Sequence, residues 1–298
     1  MIKQSGTVGI IGLGIMGSAI ARNLAASGLA VHGYDIDATR FEVLRDAGGL
    51  PAGSAAETAE GAQLLLTSLP SIAALDATVE NLLADGPRDL VIAELSTLPI
   101  AAKERARDRL ASGGMTLLDC PLSGTGAQAV TGDLAVYASG AHDAYDRAEP
   151  IFLRFARASH HLGAFGNGSK IKFVANLLVA IHNVASAEAL VLGMKAGLDP
   201  ATIVKVIASG AGTSRVFELR APLMAGAAYR PATMKIDVWQ KDMTIIADFA
   251  RSLGVETPTF TATEAIYDSA QENGLGAEDT AAVCAVLEAR AGLKPNAR

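Results

Sequence analysis

Apolar and polar positions follow two rhythms in the first half of the chain. Nearly continuous apolar runs at 8–11, 30–34, 63–68, 90–94, 116–119 and 134–139 predict strands. Helical spacing from Ser18 to Ser27, and in a second stretch ending at Ala47, predicts helices between the first of them. Strands and helices in alternation build a parallel sheet covered on both faces, so a doubly wound α/β unit is expected over residues 1–165. Around Gly163–Gly168 the texture changes. Ser169 to Ala196 reads as one long helix, and Asp199-Pro200, Pro222, Pro231 and Thr257-Pro258 punctuate the rest of the chain into helical segments. The expectation for 166–298 is an all-α domain that begins with a long interdomain helix and serves substrate binding and oligomerisation.

The first strand–helix junction carries chemistry. In Thr7-Val-Gly-Ile-Ile-Gly-Leu-Gly-Ile-Met-Gly17, Gly12 permits a tight turn, Gly14 lets backbone approach a pyrophosphate, and Gly17 lets helix and strand pack closely. Backbone N–H groups through Leu13, Ile15 and Met16 then face the phosphates at a helix start. Asp35 ends the next strand, where a carboxylate accepts hydrogen bonds from an adenosine ribose and repels a 2'-phosphate. Ile36, Asp37, Ala38 and Thr39 supply no cation for that phosphate, so NAD is expected over NADP, with Arg40 the nearest counter-argument. A Rossmann-type sheet is the architecture this junction requires.

Composition narrows the function. A chain of 298 residues that is 50% hydrophobic can build two cores, and a net charge of −6 offers no footprint for nucleic acid. An anionic substrate therefore needs local cations. Cys120 and Cys284 have neither CxxC spacing nor a disulfide framework and read as buried, reduced thiols. The apolar stretch Phe173–Ile181 contains Asn176 and is too short to span a bilayer, and the N-terminus enters a strand without a signal-peptide core; a cytoplasmic, membrane-free protein is expected. The five histidines show no ligand spacing, so no metal is expected. His160-His161 reads as a surface pair leading into the domain boundary, and His182 as a helix residue.

Two further groups of residues suggest catalysis. Lys172 and Asn176 are i, i+4 neighbours on the long helix, Lys170 lies roughly 200 degrees away from Lys172, and Asn183 returns to the polar stripe. A polar stripe on an apolar helix lines a cleft or pairs with something. A lysine in water, with a pKa of about 10.4, is a poor base at neutral pH; desolvation and a nearby cation such as Lys241 or oxidised nicotinamide would lower it. The segment Asp119 to Gly132 is rich in small residues, and Ser123 and Gly124 could offer donors to a carboxylate.

Together these segments resemble the β-hydroxyacid dehydrogenase family, the group around 3-hydroxyisobutyrate dehydrogenase. The likeness rests on the glycine turn with Met16, on Leu69-Pro70 and Ser96-Thr97, on the loop after Asp119, on Gly166-Asn-Gly168 followed by Lys172 and Asn176, and on Lys241-Asp242 and Gly274–Asp279. The resemblance implies that Lys172 is the acid/base with Asn176 as its orienting partner. It implies Ser123, Gly124 and the following Thr125 at a small carboxylate substrate, Leu69, Pro70 and Thr97 at the cofactor, and Lys241 facing cleft and cofactor. It also implies hydride transfer between NAD and the hydroxyl-bearing carbon of a small hydroxy acid, in a homodimer or homotetramer. The pattern Ser169-Lys-Ile-Lys172 with His182 is similar to members acting on polyhydroxy acids such as threonate. Departures stand at Thr125 and Gln128 where the family has glycine, at Asp133 where it has threonine, at Ala175 and at Met234. The alternatives are a reductase of another carbonyl or an imine on the same fold, or a non-catalytic NAD-binding protein.

Overall fold

A computed structural model describes residues 6–293. Strands β1 (Thr7–Ile11), β2 (Ala30–Tyr34), β3 (Leu50–Pro51), β4 (Ala62–Thr67), β5 (Val91–Glu94) and β6 (Thr116–Asp119) form one parallel sheet in the order β3-β2-β1-β4-β5-β6. Helices α1 (Ile15–Ala26), α2 (Arg40–Asp46), α3 (Ala55–Ala59), α4 (Ile72–Asp85) and α5 (Ile100–Ser112) connect them. Successive strand residues feed opposite cores. Val8, Ile10, Leu64, Leu66 and Leu118 pack with Ile20 and Leu24 of α1. Ile11, Leu65, Ile92 and Leu117 pack with Leu75, Val79 and Leu82 of α4 and Leu110 of α5. Burial on both faces is why these strands read as unbroken apolar runs. The strand order reverses between β1 and β4, and sheets of this kind bind ligands outside the carboxyl ends at such a point. β3 and α3 are too short to leave a periodic signal in the sequence.

A second sheet comes next in the chain. Strands β7 (Leu122–Ser123), β8 (Ala135–Ala138) and β9 (Ala158–His161) lie in that order, with α6 (Gly126–Val130) and α7 (His142–Phe152) between them. The run at 134–139, expected in the parallel sheet, instead pairs antiparallel with β7 and parallel with β9. The chain leaves β6 through Cys120-Pro121 and reverses at Gly124, whose φ of 136° and tight approach to Leu134 admit no side chain. His160-His161 is the end of β9: His160 is at the surface as expected, whereas His161 packs on His142 and Tyr145, and its Nε2 lies 3.0 Å from the Gly140 carbonyl. Both cysteines are buried.

The remaining chain is helical: α8 (Asn167–Lys195), α9 (Pro200–Ile207), α10 (Arg215–Ala225), α11 (Ile236–Ser252), α12 (Pro258–Glu272), a 3-10 turn at Thr280–Ala282 and α13 (Val283–Arg290). Asp199 caps α9 by accepting from Thr202 N–H at 2.8 Å, and Pro200 and Pro258 occupy first turns, where a missing N–H costs nothing. Pro222, expected to separate helices, sits inside α10. The two compact units divide between Lys172 and Phe173, inside α8, whereas the sequence placed the division at 165/166. At 29 residues α8 is long and apolar enough to cross a bilayer by length and composition alone, which the nine residues judged from sequence were not. Its buried Asn176 and Asn183, however, bond to other helical segments of the same unit.

Candidate functional site

The glycine turn has the geometry the fingerprint demands. Gly12 has φ of 89°, and a side chain there would strike the Ser68 carbonyl, while one on Gly17 would strike the carbonyl of Gly12. A side chain on Gly14 would meet nothing, so the start of α1 is open. The Asp35 carboxylate accepts from Leu13 N–H at 2.7 Å and from Asp37 N–H at 2.9 Å, which ties the end of β2 to the turn. The Leu13 side chain is buried, Ile15 is exposed and Met16 half-buried. The cradle of open backbone plus carboxylate fits a dinucleotide. Arg40 is paired with Asp37 at 3.4 Å, so two carboxylates and one engaged cation occupy the loop after β2.

On the loop after β6, Ser123 and Gly124 are half-buried at the end of β7. Thr125 starts α6, and its N–H donates to the Gln128 Oε1 at 3.0 Å. Gln128 Nε2 then donates to Asp133 Oδ2 at 3.0 Å, and Asp133 pairs with Arg157 at 2.8 Å. Three positions that depart from the family pattern are therefore one connected unit. Thr125, expected at the substrate, has its backbone N–H engaged by Gln128.

Beneath these loops lies a buried ionic cluster that the sequence reading missed. Lys103 of α5, with no exposed surface, sits 2.6 Å from Glu94 Oε2 and 2.8 Å from Asp119 Oδ1, and donates to the Ser96 carbonyl at 2.7 Å. Burial opposes the charge, but Asp119 and then Glu94 outweigh it and hold Lys103 above the ordinary lysine range. The same burial, with Asp119 adjacent, pushes the Cys120 thiol well up, away from reactivity. Ser96 N–H donates to Glu94 Oε1 at 3.0 Å, and its hydroxyl accepts from Leu69 N–H at 2.7 Å. Asp119 accepts from Ser169 N–H at 2.8 Å and from the Ser169 hydroxyl at 2.7 Å; the Ser139 hydroxyl accepts from Gly168 N–H at 2.9 Å. One lysine thus ties together the carboxyl ends of β5 and β6, reaches the segment after β4 through Ser96, and joins the first turn of α8. Leu69 is buried, Pro70 exposed, and Thr97 and Lys172 half-buried. Lys103 shares the buried stripe of α5 with Ala106 and Leu110, and a lysine on an apolar stripe was the signal available.

In the helical unit, Asn176 is buried and donates to Asp242 Oδ2 at 3.0 Å, and Lys241 lies 3.2 Å from Asp242 Oδ1. Asp242 therefore joins the two residues singled out from sequence. Asn183 donates to Tyr267 Oη at 2.7 Å and to the Thr280 carbonyl at 2.8 Å, so its place on the stripe is structural. His182 is half-buried on α8. A second buried cation, Arg220, meets Asp279 at 2.6 Å; the Asp279 carboxylate also accepts from Thr233 N–H and Oγ1 at 2.8 Å each and from Ala281 N–H at 3.0 Å. Burial works against its charge, but Arg220 and these donors hold its carboxyl below the usual range. Among the described residues no cluster of His, Cys, Asp and Glu is arranged to hold a metal ion.

Comparison with known proteins agrees with this geometry. Residues 7–163 match the family described as the NAD binding domain of 6-phosphogluconate dehydrogenase, and residues 166–287 the one described as NAD-binding of NADP-dependent 3-hydroxyisobutyrate dehydrogenase. The chain is 34% identical over 291 residues to L-threonate dehydrogenase of Cupriavidus necator, covering 95% of this chain and 97% of that one. It is 31% identical over 288 residues to L-threonate dehydrogenase of Escherichia coli, covering 94% of each. In structure it is similar to 3-hydroxyisobutyrate dehydrogenase from Salmonella typhimurium, with a TM-score of 0.86 at 28% identity over 95% of this chain and 100% of the other.

Proposed function

Because this chain belongs to the β-hydroxyacid dehydrogenase family, we propose that it oxidises a small polyhydroxy acid of the L-threonate type with NAD, using Lys172 as acid/base. The observation that carries this reading is Lys172 within the first two turns of α8, with Asn176 one turn further along the same helix and held by Asp242. The nicotinamide, when bound, exchanges a hydride at C4. Lys172 in its neutral form takes the proton of the substrate hydroxyl, and in the reverse direction its ammonium returns a proton to the forming alkoxide. Asn176 orients the lysine. The Ser123 hydroxyl and the Gly124 backbone hold the substrate carboxylate, with Thr125 shaping the loop through its bond to Gln128. Gly12, Gly14 and Gly17, with the Ile15 and Met16 backbone, cradle the pyrophosphate, while Leu13 holds the turn to Asp35 through its N–H; Leu69, Pro70 and Thr97 flank the nicotinamide, and Lys241 is the remaining residue proposed for cofactor binding.

NAD is preferred to NADP because Asp35 and Asp37 together present negative charge where a 2'-phosphate would sit, and Arg40 is already paired with Asp37. The long helix also exposes Ile171, Val174 and Leu178 along one stripe, which supports self-association into a dimer or tetramer. Sedimentation showing a monomer would contradict that part.

The test is a panel of C3 to C5 hydroxy acids, L-threonate first, assayed with NAD and NADP. Turnover with NAD is expected, and Lys172→Ala should lower it by about 10²- to 10⁴-fold while NADH binding, followed by fluorescence, stays unchanged. Retained turnover in Lys172→Ala overturns the role of the lysine. If no acid reduces either cofactor, the reading as a non-catalytic NAD-binding protein is restored.

A further inference from the structure

The buried cluster around Lys103 is not balanced in charge. It holds one ammonium and two carboxylates, Glu94 and Asp119, all without exposed surface. The first turn of α8 lies against it: Asp119 accepts both the N–H and the hydroxyl of Ser169, and Ser139 accepts the N–H of Gly168. A helix start carries N–H groups without intrahelical partners and about half a positive charge. In α4 and α9 the partner is the residue immediately before the helix, Ser71 or Asp199. In α8 it is a carboxylate from a strand fifty residues earlier in the chain. The start of α8 is therefore located by Asp119, and Asp119 by Lys103.

Lys172 is three residues beyond Ser169, on the next turn of the same helix. We propose that Lys103, Asp119 and Ser169 form a positioning clamp for Lys172, which fixes the placement of its amine and keeps negative charge beside the turn that bears it. The inference rests on Lys172 being the acid/base. Lys103 is a positioning residue in this scheme; it acts through Asp119 and the helix. The reach of such a clamp is large, because a misplacement of about 1 Å in a reacting group costs on the order of 10²-fold in rate. The charge contributes in a second way. Negative charge nearby favours the ammonium form, so the separation that the clamp sets between Asp119 and the turn bearing Lys172 sets how strongly that form is favoured.

Two variants separate the clamp from its neighbours. Ser169→Ala removes one bond to Asp119 and keeps the backbone one. Glu94→Gln combined with Lys103→Met removes the lysine and one carboxylate together, so that the net charge of the cluster is unchanged. The reactivity of Lys172 is read by acetic anhydride labelling as a function of pH, with mass spectrometry of the peptide that contains it; this needs no substrate. Because both variants leave the net charge of the cluster unchanged, a fall of about half a pH unit or more in the midpoint of labelling, which is expected, reports the helix turn moving away from Asp119. The kcat for the acid selected by the panel should fall about tenfold or more in both, with NADH affinity unchanged in Ser169→Ala, and Ser169→Thr, which keeps the hydroxyl, should hold labelling midpoint and kcat near their wild-type values.

If the labelling midpoint of Lys172 stays at its wild-type value, the clamp is refuted, even where the variants melt earlier, because the cluster would then be structural only. Should the double variant fail to fold, Ser169→Ala decides. Retained turnover in Lys172→Ala would remove the assigned reaction but leave the labelling result to report on the clamp by itself.

Discussion

Arg220 in the helical unit meets one carboxylate, Asp279, while Lys103 in the sheet unit meets two, Glu94 and Asp119. The Arg220 centre is closed. Its single charge pair is surrounded by donors from Thr233, Met234 and Ala281, which knit the segment before α11 to the turn before α13. The Lys103 centre is open, because its surplus negative charge extends to a helix start and lies three residues from Lys172. The difference separates a charge used to hold chain segments together from a charge whose field acts on a neighbouring group. Burial alone does not distinguish the two; the count of charges and the identity of the last partner do.

This contrast can be broken by measurement. Lys103→Met alone leaves two buried carboxylates together and should cost about 3 to 5 kcal/mol in guanidinium unfolding. Arg220→Met should cost less, about 2 to 3 kcal/mol, because Asp279 keeps its hydrogen bonds from Thr233 and Ala281. An equal or reversed order would show that the second carboxylate at Lys103 carries no penalty.

The pH dependence of stability tests the closed centre next. The folded pKa of Asp279 is lowered, so its contribution is full above the unfolded value of about 3.9 and is lost as pH falls through the lower folded value. Thermal unfolding of the wild type should therefore decline more between pH 4 and pH 2 than that of Asp279→Asn, and parallel curves would refute the depressed pKa. Smallest is the effect of Gln128→Ala, which removes a helix cap and should cost about 1 kcal/mol, with urea unfolding as the measure.

The fold and the cofactor end were legible because their signals are local. Gly12, Gly14 and Gly17 meet steric limits set within a few residues, and Asp35 stands at the end of the adjacent strand, so spacing along the chain stands in for geometry. At Lys103 the one local signal, its place on the stripe with Ala106 and Leu110, is masked by its neighbours. It stands among Glu104, Arg105, Arg107 and Asp108 in a helix that reads as solvated, and its partners at 94 and 119 come from other strands. Ser169 was noticed as part of a pattern shared with relatives, yet its bond to Asp119 depends on the tertiary fold. Strand β9 was missed because Ala158-Ser-His-His161 lacks the alternation of a half-buried strand; it forms because β8 offers a pairing edge. In the segment after β7, Thr125, Gln128 and Asp133 read as separate departures from the family pattern, and only their hydrogen bonds make them one.

That last connection bears on how this loop can be re-engineered. Exchanging Gln128 for glycine would leave the Thr125 N–H without this partner and Asp133 with Arg157 alone, and changing Asp133 first would remove the acceptor of the Gln128 amide. Each single step passes through a worse loop, although the finished replacement need not be worse. A library that grafts residues 125 to 133 as one cassette should therefore yield working specificity variants where one-at-a-time scanning finds only losses.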